Sequence, residues 1–125
     1  MDIRQFGALG YVSSLSLGGG GLGQLWGATT REECIATVHE AVDRGITLCD
    51  MAPVYGNGEA ETVIGETFKG SLPDGLRITT KCRLGDIRSE DVGTLLDESI
   101  DALSLIHISE PTSRYAISYA VLCLK

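Results

Sequence analysis

Short apolar runs alternate with segments of helical periodicity along most of this 125-residue chain, and that alternation limits the folds open to it. Ser14-Leu15-Ser16-Leu17 alternates with period two and runs into Gly18-Gly19-Gly20-Gly21, which reads as a strand ending in a close backbone approach. Thr30-Arg31-Glu32-Glu33 has the spacing of a capping box, and Ile35, Val38, Ala41 and Val42 follow at helical spacing until Gly45. Ile46-Thr47-Leu48-Cys49 is a short strand delivering Asp50. After the turn Gly56-Asn57-Gly58, the residues Ala60, Val63, Ile64, Thr67 and Phe68 mark a second amphipathic helix, closed by the turn material of residues 70–75. Leu76-Arg77-Ile78-Thr79-Thr80 is a further strand, delivering Lys81, and another helix is expected from Ser89, with Val92, Leu95, Leu96 and Ile100 on one face. Ahead of all this, Ile3-Arg4-Gln5-Phe6 and Tyr11-Val12-Ser13 flank Gly7-Ala8-Leu9-Gly10 as a small hairpin. Strand and helix in strict alternation read as parallel βαβ units.

In a parallel α/β fold, function gathers at the carboxyl ends of the strands. Three residues that fall there carry chemistry together: Asp50, Tyr55 in the turn that follows it, and Lys81. Singly, they read as a solvated carboxylate, a half-buried aromatic and a surface charge. Together they are the parts of a general acid for carbonyl reduction. A phenol is a poor proton donor at neutral pH, its ordinary pKa being about 10. A neighbouring ammonium favours the phenolate, and a carboxylate can hold that ammonium charged and oriented.

The string Asp50-Met51-Ala52-Pro53-Val54-Tyr55-Gly56, followed by a strand ending in Lys81, resembles the aldo-keto reductase family, whose members carry Asp-x-Ala-x-x-Tyr-Gly. The resemblance runs over residues 1–102. It implies an α/β fold: the N-terminal portion of a (β/α)8 TIM barrel with a leading β-hairpin, truncated after about three βα units. It also implies an oxidoreductase that moves a hydride between NADP(H) or NAD(H) and an aldehyde, ketone or sugar-type carbonyl, without a metal. Tyr55 would then give the proton, Lys81 would make that easier, and Asp50 would anchor Lys81 and touch the cofactor. Gly19 and Gly20 would let the cofactor lie close against the backbone. Met51 departs from the Thr or Ser that the family often has there. Family members also need a histidine from the next strand.

That histidine falls in a different kind of text. Residues 103–112 resemble the translation of a sequencing-library transposon adapter, and residues 117–125 resemble that of a flow-cell primer. Arg114-Tyr115-Ala116 occupies the space of a variable index between them. His107 then reads as an adapter codon, so no catalytic role is carried over to it. The expectation is a partial reductase barrel over 1–102 and a non-native tail over 103–125. A barrel piece of that size leaves a parallel strand edge unpaired. The chain as written would be inactive, and the competing reading is a non-enzymatic barrel fragment.

Gly18, Gly20 and Gly23 also satisfy the G-x-G-x-x-G pattern of a Rossmann-type dinucleotide-binding module. That motif opens directly into a helix, whereas here the helix cap comes only at Thr30. Trp26 could line a substrate pocket or cover the mouth of the barrel. His39 reads as solvated, on the polar side of its helix.

A formal net charge of −7 argues against nucleic acid and anionic membranes as partners. No stretch approaches the roughly 20 apolar residues of a membrane span, and the start lacks the basic and apolar regions of a signal peptide. Cys34, Cys49, Cys82 and Cys123 lie far apart with no C-x-x-C spacing, so they read as free thiols in a reducing, cytoplasmic compartment.

Overall fold

The structure, a computed structural model, describes residues 1–83, 94, 97–98, 101–103, 109–111 and 119–124. It opens with an antiparallel hairpin of β1 (Ile3–Gln5) and β2 (Tyr11–Ser13), joined through a 3-10 turn at Gly7–Leu9. Two reciprocal bonds clasp the hairpin to the chain at Thr47. Ser13 N–H donates to Thr47 Oγ1 at 2.8 Å, and Thr47 N–H donates to Ser13 Oγ at 2.9 Å.

The next strand, β3, is only Leu17–Gly18. The alternation from Ser14 predicts a longer one, but the backbone there is diverted. Ser13 Oγ donates to the carbonyl of Leu15 at 2.6 Å and Ser14 N–H donates to that of Asp2 at 2.8 Å. The first, a short-range side-chain bond, competes with a sheet ladder, the second ties the backbone back to the hairpin, and Leu15 is left exposed.

Helix α1 (Arg31–Asp43) starts at the expected capping box. Thr30 Oγ1 accepts from Glu33 N–H at 3.1 Å, and Glu33 Oε2 accepts from Thr30 N–H at 2.8 Å. It ends in a Schellman motif: Gly45 N–H donates to Val42 O at 2.8 Å and Ile46 N–H to Ala41 O at 3.0 Å. Gly45 has φ +88°, the left-handed conformation this stop requires. Strand β4 (Leu48–Asp50), helix α2 (Glu59–Phe68) and strand β5 (Arg77–Arg83) follow in the expected order. Arg31 bridges the two helices, its guanidinium paired with both carboxylate oxygens of Glu59 and with Glu66 at 2.7 Å.

β3, β4 and β5 are parallel neighbours with β4 in the middle. Val38 from α1 and Val63 and Ile64 from α2 pack with Cys49, Met51 and Ile78, all fully buried. Each aliphatic side chain so buried contributes about 1.5–3 kcal/mol. Leu103, at the start of the expected tail, is also fully buried in this cluster.

Of the helix expected from Ser89, Thr94, Asp97, Glu98, Asp101 and Ala102 are helical; Val92, Leu95, Leu96 and Ile100 lie outside the described residues. The outer edge of β5, expected to be bare, is paired. β7 (Tyr119–Leu124) runs antiparallel along it from Ile78↔Leu124 to Arg83↔Tyr119, and β6 (Ser109–Pro111) adds to β7. Backbone pairing asks only for an extended segment, so an edge of this kind captures what is available. Pro111 is tolerated because β6 is the outermost strand.

Burial pushes the Cys49 thiol up to about 12 from an ordinary 9.0. The folded chain therefore holds this proton more tightly than the unfolded chain does. The resulting stability is complete below about pH 9 and disappears as the pH climbs toward 12. Urea denaturation should show stability falling across this window, with a shallower fall in Cys49→Ala.

Candidate active site

Parallel pairing sets Gly18, the end of β3, beside Asp50, the end of β4, and Asp50 beside Thr79 within β5, which continues to Arg83. Asp50 is the last residue of β4 and sits opposite Thr79 of β5. Lys81 lies two residues beyond Thr79, hence on the same face of the sheet. Its ammonium donates to Asp50 Oδ1 at 2.7 Å and to the carbonyl of Met51 at 2.8 Å. Thr79 Oγ1 donates to the same Oδ1, also at 2.7 Å. Asp50 Oδ2 has no hydrogen-bond partner among the described residues. The two side chains are 40% and 23% exposed, so this pair sits at the rim, where an ion pair contributes at most about 1 kcal/mol. Its main effect is orientation.

Tyr55 comes from the turn after β4, where its N–H donates to Ala52 O at 3.0 Å. The Lys81 nitrogen is 5.2 Å from the centroid of its ring. The Tyr55 hydroxyl is without a hydrogen-bond partner among the described residues. The structure thus gathers Asp50, Tyr55 and Lys81 at one end of the sheet, with an ammonium held by a carboxylate and a carbonyl and standing over the Tyr55 ring.

Gly19 and Gly20 lie beside them, both buried, and Gly19 N–H donates to Asp50 O at 2.9 Å. The space that a side chain would need is already taken. A Cβ on Gly19 would meet Met51 Sδ at 2.7 Å, and one on Gly20 would meet the Trp26 ring at 2.8 Å. Trp26 is otherwise 80% exposed and lies over this strand end. The G-x-G-x-x-G pattern does not open a helix, for α1 begins only at Arg31.

Gly23, the last glycine of that pattern, has another job. A Cβ there would overlap the Tyr55 carbonyl group, and one on Gly56 would lie 2.5 Å from the Gly23 oxygen. The β3–α1 loop and the Tyr55–Gly56 turn therefore cross glycine on glycine. Nothing in the spacing of the sequence announces this contact. Thr79 and the Met51 carbonyl were also missed, although strand periodicity alone puts Thr79 on the face of Lys81. His39 is exposed and meets Phe68 edge-on at 6.2 Å. Among the described residues no three His, Cys, Asp or Glu side chains gather as for a metal, and no helix is long and apolar enough to cross a membrane.

A model of the aldo/keto reductase family matches residues 14–109. L-galactose dehydrogenase of Arabidopsis thaliana is 31% identical over 115 residues, covering 86% of this chain and 36% of its own length. The crystal structure of an aldo-keto reductase from Klebsiella pneumoniae in complex with NADPH superposes with a TM-score of 0.71 at 25% identity, over 83% of this chain and 36% of that one. The thermostable aldo-keto reductase Tm1743, in complex with the inhibitor epalrestat, gives 0.70 at 28% identity, over 84% and 39%. The chain spans little more than a third of the length of each of these relatives. The hairpin and the three parallel strands with their helices correspond to the N-terminal part of the (β/α)8 barrel.

The loop crossing is testable by contrast. Gly23→Ala and Gly56→Ala should each cost about 1–3 kcal/mol of stability, because backbone must move to admit the methyl group. Gly18→Ala, with nothing within 4 Å of its new Cβ, should change stability by less than about 0.5 kcal/mol in the same urea titration.

Proposed function

The chain belongs to the aldo/keto reductase family, and from that premise we propose that its site serves an oxidoreductase that passes a hydride between NADP(H) or NAD(H) and the carbonyl carbon of an aldehyde, a ketone or a sugar-type substrate. The observation that carries this reading is the 2.7 Å contact of Lys81 with Asp50, made by an ammonium that also stands 5.2 Å from the Tyr55 ring.

A bound nicotinamide cofactor supplies the hydride. Asp50, Gly19 and Gly20 are the residues that would hold it. Asp50 suits a hydroxyl-bearing group, since Oδ1 is engaged by Lys81 and Thr79 while Oδ2 is left for a ligand. Gly19 and Gly20 would act by keeping the strand end low beneath Met51 and Trp26. Tyr55 Oη gives its proton to the carbonyl oxygen. The Lys81 ammonium then stabilises the negative charge left on the phenol, and preorganised charge of this kind is strongest where water is partly excluded. Asp50 and the Met51 carbonyl keep Lys81 in place for that role.

The proposal extends to the chain as a whole. Residues 1–102 are the reductase segment and residues 103–125 a non-native tail. The parent enzyme of this segment would act in the cytoplasm on a small carbonyl compound, with no nucleic-acid or membrane partner and no metal. One observation favours the second reading, that this chain is a non-enzymatic fragment. A continuing barrel needs a parallel strand beside β5, and β7 runs antiparallel there. The 125-residue chain alone is therefore expected to turn nothing over.

A chimera separates these readings. Residues 14–102 would replace the matching segment of the Klebsiella pneumoniae reductase. The chimera should oxidise NADPH with an aldehyde, and Tyr55→Phe should cut that rate by about 10²-fold or more with cofactor affinity nearly unchanged. Near-normal turnover in the Phe variant would remove Tyr55 from the mechanism. Turnover by the unmodified 125-residue chain would remove the non-enzymatic reading.

A further inference from the structure

We propose that Thr79 is a positioning residue for this site: its hydroxyl selects the Asp50 rotamer that offers Oδ1 to Lys81. The proposal deepens the reductase reading and takes its functional meaning from it, but its geometry stands apart from any activity.

The register places Asp50 directly opposite Thr79, so both side chains leave the sheet on one face at close range. Thr79 is only 7% exposed, and its hydroxyl has two acceptors within reach. Asp50 Oδ1 is at 2.7 Å and the Cys49 carbonyl at 3.4 Å, so the hydroxyl donates chiefly to the carboxylate. Threonine is β-branched and stiff at χ1, which aims the hydroxyl with little loss of side-chain freedom. The Asp50–Lys81 pair lacks such stiffness. Lysine has a long flexible stem, the carboxylate is 40% exposed, and ion pairs at that exposure are weak. Left alone, that pair would sample several geometries. The buried hydroxyl supplies a fixed donor to the same oxygen, so the carboxylate is turned before the ammonium arrives. A ligand hydroxyl then meets Oδ2 in a single orientation.

Both measurements use the 125-residue chain. In the wild type, the Thr79 hydroxyl proton should be slow to exchange and show through-bond NMR coupling to the Asp50 carboxylate carbon. In Thr79→Val, which keeps the shape and the branch but not the hydroxyl, the three-bond couplings that report Asp50 χ1 should collapse from a single-rotamer value to an average. Cross-strand contacts between β4 and β5 should persist. Thr79→Ser should restore the single rotamer. A single Asp50 rotamer in Thr79→Val would overturn the proposal, as would a freely exchanging hydroxyl in the wild type, which needs no variant to fold. Near-normal turnover in the Tyr55→Phe chimera would count against the reductase reading and leave these rotamer results where they stand.

Discussion

The parallel register between β4 and β5 is the constraint on which everything else here rests. It sets Asp50 opposite Thr79 and leaves Lys81 two residues further along the same face. The adjacent threonine faces the other way: Thr80 Oγ1 donates to the buried carboxylate of Glu61 on α2 at 2.5 Å. Two neighbouring hydroxyls thus serve opposite sides of one strand, one the site and the other the helix layer. A slip of a single residue would exchange them and turn Lys81 into the helices, because strand faces alternate with period two. The apolar partners of the strand, Cys49 and Ile78, resist that slip, since they are fully buried where they stand.

Much of this was legible in the sequence because it depends on local rules. The capping box at Thr30, the stop at Gly45 and the periodicity of α1 and α2 each involve residues within a few positions of one another. The placement of Asp50 at the end of β4 followed from counting along an apolar run, whereas β5 continues two residues past Lys81, to Arg83. What escaped depends on distant partners. The Gly23–Gly56 crossing joins two loops 33 positions apart, and glycine-rich text looks alike whether it faces a ligand or another backbone. The late start of β3 goes with two serines, Ser13, whose hydroxyl bonds the backbone two residues on, and Ser14, whose N–H bonds Asp2. The pairing of β7 along β5 could not be foreseen by pattern, since an open strand edge places few demands on the sequence that joins it.

The relatives sharpen the meaning of the site more than of the chain. They share its fold over most of its length, while it spans little more than a third of theirs. Three of the residues the reductase reading needs are grouped within this span, as is the strand end that bears Gly19 and Gly20. A barrel of this kind draws its site from many strand ends, so one stretch can carry a proton donor with its supporting charges and still leave the rest of the pocket to later strands.

The clasp between Ser13 and Thr47 has a consequence for how such a protein can change over time. Two side-chain hydroxyls and two backbone amides make this join, at the opposite end of β4 from Asp50. Sequence drift in the hairpin is therefore filtered by a different requirement from drift near Tyr55. A lineage could rebuild the first dozen residues, keeping only a pair of short hydroxylated side chains at the seam, and pass the chemistry on untouched.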